Sequence, residues 1–405
     1  MNAAASMPPR VLIAESDPWI RDLLSQMLLS VRCDARLQAC ATGPAALDHL
    51  RELPSLVIAA RELPGISGLE LLRSVRKSPR QAALPFILLS ERGDSASVRE
   101  VVPLAPTAYL TKPLDMASLK ARLHSLLVGN GEAVACRVPQ IAAGTTLEQY
   151  LERRRLDGDG GPLLCDVQAA VKRALGAEGL NLKMLEANVR SDPQVTAVLV
   201  CAANSAVKQG AAPVLTLMQA LHALGATQSM NLLLGLAFKP SARLSDPLLL
   251  AHAETYWNRS THAAEFARSI ARQQNLDEWR CHCAGLLHCL GDLALLRVLQ
   301  EWQSARGGLD EASVAKALRT FGAPYGSELR RRWRLPLELR EMIAAAYQLG
   351  GGVYSRDKLI VNVAVQMAML SADDDVAQIA QGKPARLLKI GMSQLNWWRG
   401  APMIR

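Results

Sequence analysis

The sequence predicts a multidomain protein: an N-terminal α/β domain with a doubly wound, five-stranded parallel sheet, followed by an all-α domain. Three observations carry this. Residues 10–127 alternate five short apolar runs with five segments of helical period. From Pro162 onward strand signals nearly vanish, and Leu/Ala-rich segments of period 3.6, separated by Gly, Pro, Ser and Asp, run to about residue 370. The length of 405 residues allows two or three domains, each able to bury a core.

The elements follow in order. Val11-Leu12-Ile13-Ala14 is an apolar strand, and Asp17-Pro18 opens a helix that runs through Ser30. A strand near 35–40 and a helix from Pro44 to Arg51 come next. Strand 56–59, helix 68–77, strand 85–89, a short helix near 95–102, strand 107–110 and helix 115–127 complete the domain, whose bounds are expected at 10–127. Residues 128–159 read as a linker: "VGNGEA" and "LDGDGG" are flexible, and "TLEQYLERRR" between them suits one short charged helix. The helical domain is expected over 160–352 and a helical extension over 353–405, with the tryptophans of "LNWWRG" docking onto that domain.

Half of the residues are hydrophobic and only 4% aromatic, so the cores are built of Leu, Ala and Val. The net charge of +9 is spread out: 15 basic against 12 acidic residues up to position 130, and 31 against 25 beyond it. Such a dispersed excess is a weak argument for nucleic acid. Residues 1–9 lack the apolar core of a leader, and the greasiest stretch, "AGLLHCLGDLALLRVL", carries His and Asp and is short for a bilayer. Eight scattered cysteines without framework spacing fit a reducing cytoplasm.

The chemistry of the first domain should sit at the carboxyl ends of its strands. There Glu15-Ser16-Asp17-Pro18 follows the first strand, Ala60 ends the third, Ser90 ends the fourth, and Tyr109-x-x-Lys112-Pro113 marks the fifth. This ordered set resembles a two-component receiver domain. The resemblance implies that Glu15 and Ser16 stand where an acidic pair holds magnesium, and Ala60 where the phosphorylated aspartate stands. It places Ser90, Tyr109 and Lys112 at the switch hydroxyl, the switch aromatic and the lysine. Phosphoryl transfer needs an oxygen nucleophile and a cation held by hard oxygen ligands. Ala60 offers no oxygen and Ser16 no charge, so the receiver is expected not to be phosphorylated at the usual place. Lys112 is then left to pair with Glu15 or Glu62. Two readings remain: a packing module, or a constitutive docking module whose surface over 95–102, 107–110 and 115–127 rests in one state.

The second half resembles an HDOD domain, a degenerate relative of the metal-dependent HD phosphohydrolases. Its blocks are "SDPQVTAVLVCAANSA", "LMQALHALGATQSMNLLLGLA", "WNRSTHAAEFARSIA", "AGLLHCLGDLAL" and "YGSELRRRWRLPLELREMI". Ser191 or Asp192 is suited to cap a helix entered through Pro193, and Asn204-Ser205 to end it. The resemblance implies that His288 is kept from a His-Asp pair while Cys289 replaces the Asp. Arg259 stands where an earlier helix offers histidine, and Ala346-Tyr347 fill a later ligand position. No metal and no cofactor are expected, and a zinc site from Cys281, Cys283, His288 and Cys289 is disfavoured because Cys283 points away from the others on a helix. Arg330, Arg331 and Arg334 in "ELRRRWRLP" form the strongest basic cluster, a candidate surface for an anion or a partner.

These readings imply a non-catalytic signalling regulator: a phosphorylation-independent receiver coupled to an HDOD output domain that binds protein partners in a bacterial pathway. The alternative is a nucleotide or nucleic acid held by the arginine cluster. Residual hydrolysis of a cyclic dinucleotide is the weakest of the three, since its metal ligands are missing.

Overall fold

The structure, a computed structural model, describes residues 8–92, 94–112, 114, 116–128, 141–142, 144–157, 160–176, 179–206, 212–238, 244–349, 354–371 and 374–400. The chain forms two compact units: residues 1–137 with 227–240, and residues 138–226 with 241–405.

In the first unit, β1 (Arg10–Ala14), β2 (Arg36–Cys40), β3 (Leu56–Ala60), β4 (Phe86–Ser90) and β5 (Ala108–Thr111) form one sheet in the order β2-β1-β3-β4-β5. Every neighbouring pair is parallel, with Val11 opposite both Leu37 and Leu56, and Ser90 opposite Thr111. Helices α1 (Pro18–Val31), α2 (Gly43–Leu50), α3 (Gly68–Lys77), α4 (Ser95–Val101) and α5 (Met116–Leu127) connect the strands, and a 3-10 turn over Val102–Leu104 follows α4. The expected strands and helices are all present, with ends within about two residues of those read from the sequence.

The sheet is covered on both faces, which is why its strands read as unbroken apolar runs. Val11, Ile13, Leu56, Ile58, Ile87 and Leu89 pack against α1 and α5. The alternate residues Leu12, Val57, Ala59, Phe86 and Leu88 pack against α2, α3 and α4. The entry to α3 is fixed by a capping box: Ser67 Oγ accepts the Glu70 N–H, and the Glu70 carboxylate accepts the Ser67 N–H. Gly68 is required there, because a Cβ would meet the Ala60 carbonyl oxygen at 2.2 Å. Arg32, buried, donates to the Leu127 carbonyl and pairs with Asp34.

The second unit is helical apart from one antiparallel pairing, β6 (Leu175–Gly176) with β7 (Gly179–Leu180). Its helices are α6 (Leu147–Asp157), α7 (Val167–Ala174), α8 (Leu182–Val189), α9 (Pro193–Ala206), α10 (Leu217–Phe238), α11 (Pro247–Gln273), α12 (Glu278–Leu286), α13 (Leu290–Arg306), α14 (Glu311–Arg332), α15 (Leu337–Tyr347), α16 (Arg356–Met369), α17 (Ala377–Gln381), α18 (Lys383–Leu388) and α19 (Met392–Gly400). Side-chain caps explain the polar residues between them: Asp166, Asn181, Asp246, Asp277, Asp310 and Ser355 each accept an N–H of the first turn that follows. Of the two candidates to cap α9, Asp192 does so. Its Oδ1 accepts the Val195 N–H, and its Oδ2 accepts those of Leu164 and Cys165. Asn204 closes the same helix by clamping Val214 through both backbone groups.

The charged helix expected within 128–159 forms as α6, and it is anchored in the second unit: Tyr150 and Leu151 are buried, and Arg154 pairs with Glu301. Helix α10 bends at Gly225, whose φ of 76° suits glycine. Beyond the bend its residues belong to the first unit, where Leu234 packs on the α1/α5 core and Gln228 donates to Asp17 at 2.9 Å. In "LNWWRG", Trp398 is buried and Trp397 is exposed, so one tryptophan docks and the other does not. Residues 278–306 are long and apolar enough to cross a membrane, yet the most apolar 18-residue window within them is buried in the protein. One cysteine departs from the expectation of a wholly reduced set, since Cys33 is disulfide-bonded.

Candidate functional site

The carboxyl ends of the parallel strands gather the residues that the sequence singled out. Glu15, directly after β1, is buried. Its Oε1 accepts the Asp17 N–H at 3.0 Å and its Oε2 lies 2.9 Å from Lys112 Nζ, with the two side chains only 2% and 9% exposed. Of the two partners foreseen for Lys112, the structure selects Glu15. Desolvating both charges is costly, and the short contact together with the added N–H bond offsets that cost.

Ala60 at the end of β3 is fully buried and brings no polar atom. Ser16 is exposed, and its carbonyl takes a bond from Arg21 Nη1, which also reaches the carbonyl of Glu15. Ser90 donates to Glu62 Oε1 at 3.3 Å and accepts the Arg92 N–H at 3.0 Å. Tyr109 donates its hydroxyl to the Arg92 carbonyl at 2.5 Å. Arg61, one residue past Ala60, reaches α4, where it donates to the Ser97 carbonyl and pairs with Glu100, itself paired with Arg73. The side chains of Glu15, Arg61, Ser90, Tyr109 and Lys112 therefore each have a partner within the protein itself. Arg21, Arg92 and Glu100 escaped the sequence reading: Arg92 acts through its backbone, which leaves no residue-type signal, and Glu100 looks like any exposed helix charge.

The second candidate site lies where α11, α13, α14 and α15 meet. His288 is buried, with Nδ1 2.6 Å from the Gly285 carbonyl and Nε2 2.9 Å from Cys289 Sγ. Burial pulls the imidazole down to about 4, so the ring is neutral near pH 7. Burial likewise pushes the Cys289 thiol well above its usual range, so the sulfur keeps its proton. Nδ1–H then donates to Gly285 and Nε2 accepts from the thiol, which leaves neither ring nitrogen free for a metal. Arg259 stands over the Tyr256 ring at 5.3 Å, and Tyr347 donates to the His288 carbonyl. Among the described residues, no three His, Cys, Asp or Glu side chains converge in a metal-binding group.

Asp292, missed by the sequence reading of ligand positions, belongs to this cluster. It sits one turn past His288 and is buried, which lifts its carboxyl to about 7 despite the nearby charges of Arg259 and Arg330. Its place depends on glycine: a Cβ at Gly322 would lie 2.1 Å from Asp292 Oδ1, and one at Gly291 would lie 2.3 Å from the Gly326 nitrogen. The close crossing of α13 and α14 thus requires Gly291 to face Gly322 and Gly326.

The basic cluster requires a correction. Arg330 is 6% exposed and points to the Asp292 region, so it belongs to no anion-binding surface. Arg331 is exposed and paired with Glu328 at 2.6 Å, while Arg334 lies past the end of α14 with a φ of 56°. The helix ends at Arg332, so these arginines cannot share one helical face.

Comparison with known proteins agrees with the two folds. Residues 11–124 match the response regulator receiver domain family, and residues 162–349 match the HDOD domain family. Among curated relatives, Protein PetR of Rhodobacter capsulatus is 30% identical over 179 residues, which cover 43% of this chain and 71% of PetR. The chain thus belongs to the response regulators of two-component signal transduction, with an HDOD domain behind its receiver. The transcriptional regulatory protein AfsQ1 of Streptomyces coelicolor is 34% identical over 120 residues, or 29% of this chain and 51% of AfsQ1. The response regulator Rre1 of Synechocystis is 29% identical over 121 residues, or 30% of this chain and 52% of Rre1. The chain therefore spans about half the length of those two relatives. A solved structure of the MmoQ response regulator from Methylococcus capsulatus is 21% identical, with a TM-score of 0.46, and covers 60% of this chain and 99% of its own.

Proposed function

We propose that this response regulator is non-catalytic and works without phosphorylation of its receiver, whose α4–β5–α5 face is a standing docking surface for a protein partner. The observation that carries this is the 2.9 Å Lys112–Glu15 pair beside Ala60. The lysine that would face a phosphoryl group is committed to the one carboxylate left for a cation, and β3 ends without a nucleophile. Support for the fixed face comes from Arg61, which ties α4 to the end of β3, and from the Ser90 and Tyr109 bonds to Glu62 and Arg92. In a switchable receiver these groups need two packings that phosphate selects between.

For the HDOD domain, the neutral His288 with both ring nitrogens engaged and Arg259 at the earlier ligand position favour an interaction role over hydrolysis. A bacterial signalling protein is the proposed partner, with the cytoplasm as the setting. The arginine-cluster route to nucleotide or nucleic acid loses its basis with Arg330 buried.

The test is incubation of the full chain with radiolabelled acetyl phosphate and magnesium. No alkali-sensitive acyl-phosphate adduct should form on residues 8–128. Ala60→Asp alone should label poorly, because Ser16 leaves the cation short of a ligand. Stoichiometric labelling of the unaltered chain would overturn the reading.

A further inference from the structure

Away from both sites, the HDOD-like unit holds a two-lobed cavity. One lobe, of about 220 Å³, is lined by α8, α9, the start of α10 and α12; the other, of about 420 Å³, lies between α8, α11 and α12. Arg190 and His282 line both lobes. Ligand pockets run from roughly 300 to 1,000 Å³; the larger lobe falls within that range and the smaller below it, which suits a small ligand.

The smaller lobe is mostly apolar, with Leu217, Met218, Trp279 and Cys283 in its wall. It also holds a buried polar atom that nothing satisfies. Thr196 is 2% exposed, and its Oγ1 has no hydrogen-bond partner among the described residues. A helical threonine usually bonds the carbonyl one turn back, so an idle buried hydroxyl in a cavity wall calls for a partner.

Two further features face the same space. Arg190 makes no direct ion pair among the described residues, although Glu186 and Glu265 both lie near enough to interact with its charge; Glu265 also pairs with Arg268 and His282 at 3.3 and 3.4 Å. The N–H groups of Leu217 and Met218 open α10, whose cap Thr216 bonds Gln219 instead. The Trp279 ring supplies a flat wall, held by Arg268 at 4.4 Å from its centroid and by the edge of His282.

We infer that this cavity binds a small monoanionic organic acid with a planar apolar body, its carboxylate on Arg190 and Thr196 and its ring beside Trp279. The Arg190 guanidinium, shared with the nearby Glu186 and Glu265 carboxylates, and one helix start suit no more than a single negative charge. Glu186 and Glu265 nearby disfavour a dianion such as a phosphate monoester. Burial raises the Glu186 carboxyl above its usual range, which lessens that repulsion for a monoanion. The inference does not depend on the state of the receiver.

The test is isothermal titration calorimetry of the full chain with 1-naphthoate, 1-naphthalenemethanol as its neutral counterpart, and 1-naphthyl phosphate. The acid should bind at sub-millimolar concentration and the alcohol at least about tenfold more weakly. Arg190→Gln should lose about tenfold or more, Arg190→Lys should recover part of that, and Thr196→Val should lose about three- to tenfold, the worth of one hydrogen bond. Met218→Trp, which fills the lobe from a partly exposed position, should abolish binding with an unchanged circular dichroism spectrum. The inference is overturned by equal binding of acid and alcohol, by tighter binding of the phosphate, by an unchanged affinity in Arg190→Gln, or by no heat from any probe up to its solubility.

Discussion

The receiver strand ends and the HD-like cluster are built in opposite ways. At the strand ends Ala60 brings no polar atom, while Lys112 and Glu15 form a buried charge pair. At the HD-like cluster Arg259, Cys289 and Tyr347 lie around His288, which spends both ring nitrogens on protein partners. In the first, two buried charges neutralise one another. The second arrangement is a packed polar knot where α11, α13, α14 and α15 meet. The first site is therefore sensitive to loss of a charge, and the second to added volume and to protonation.

The largest effect should come from breaking the buried charge pair. Glu15→Gln leaves Lys112 buried without its carboxylate, and removing one partner of a buried pair costs about 3–5 kcal/mol. Urea unfolding followed by circular dichroism should show the first unit melting at lower denaturant. The double variant Glu15→Gln/Lys112→Met should recover most of the loss, because no charge is then stranded. Equal stability of the single variant would mean that the pair contributes nothing and that the site is not held by its charges.

Protonation sharpens the contrast at the second site. Burial lifts the Asp292 carboxyl to about 7 in the folded protein, against about 3.9 for an aspartate in an unfolded chain. The native state therefore binds a proton that the unfolded chain has already released. The stability this represents is fully present below pH 4 and is lost as pH rises through 7, by at most about 4 kcal/mol. Arg259, Arg330, Tyr256, Tyr347 and Cys289 surround the group. Asp292→Asn should flatten this slope between pH 5 and 8 in thermal melts of the second unit, and should be no less stable than the parent at pH 8. A steeper slope in the variant would place the titration elsewhere.

Volume comes next. Gly291→Ala puts a methyl carbon against the α14 backbone, where overpacking costs about 1–3 kcal/mol; the upper end is expected because no flexible side chain can yield. The midpoint of urea unfolding reports it, and a neutral outcome would show that the crossing of α13 and α14 can open without cost.

How much of this the sequence disclosed follows from the range of the signals. The parallel sheet was legible because apolar runs and turn residues are local, and Glu15, Ala60, Ser90, Tyr109 and Lys112 sit at strand ends that local patterns fix. Burial of Arg330 was not legible. Its neighbours in "ELRRRWRLP" suggest a solvated face, and only the approach of α13 through Gly291 turns the residue inward. Asp292 was hidden for the same reason: its one-turn spacing from His288 is visible in the sequence, but its two arginine neighbours come from other helices. The idle Thr196 hydroxyl has no sequence signal at all, since threonine in a helix ordinarily satisfies itself.

The smallest effect on stability should carry the most information about function. Tyr109 bonds the Arg92 carbonyl through a hydroxyl at the edge of the protein, and its ring packs on the core beside Val101 and Leu104. Tyr109→Phe keeps the ring and removes one partly exposed bond, so unfolding should shift by no more than about 1 kcal/mol. If the α4–β5–α5 face is a standing docking surface, the released Arg92 loop should still weaken capture of the partner, read as a faster off-rate in pull-down or surface plasmon resonance with the native host's binding protein. Deleting residues 1–127 should weaken it further. A partner that binds the parent, Tyr109→Phe and the truncated chain equally would reduce the receiver to packing, and it would make the second unit the whole of the output.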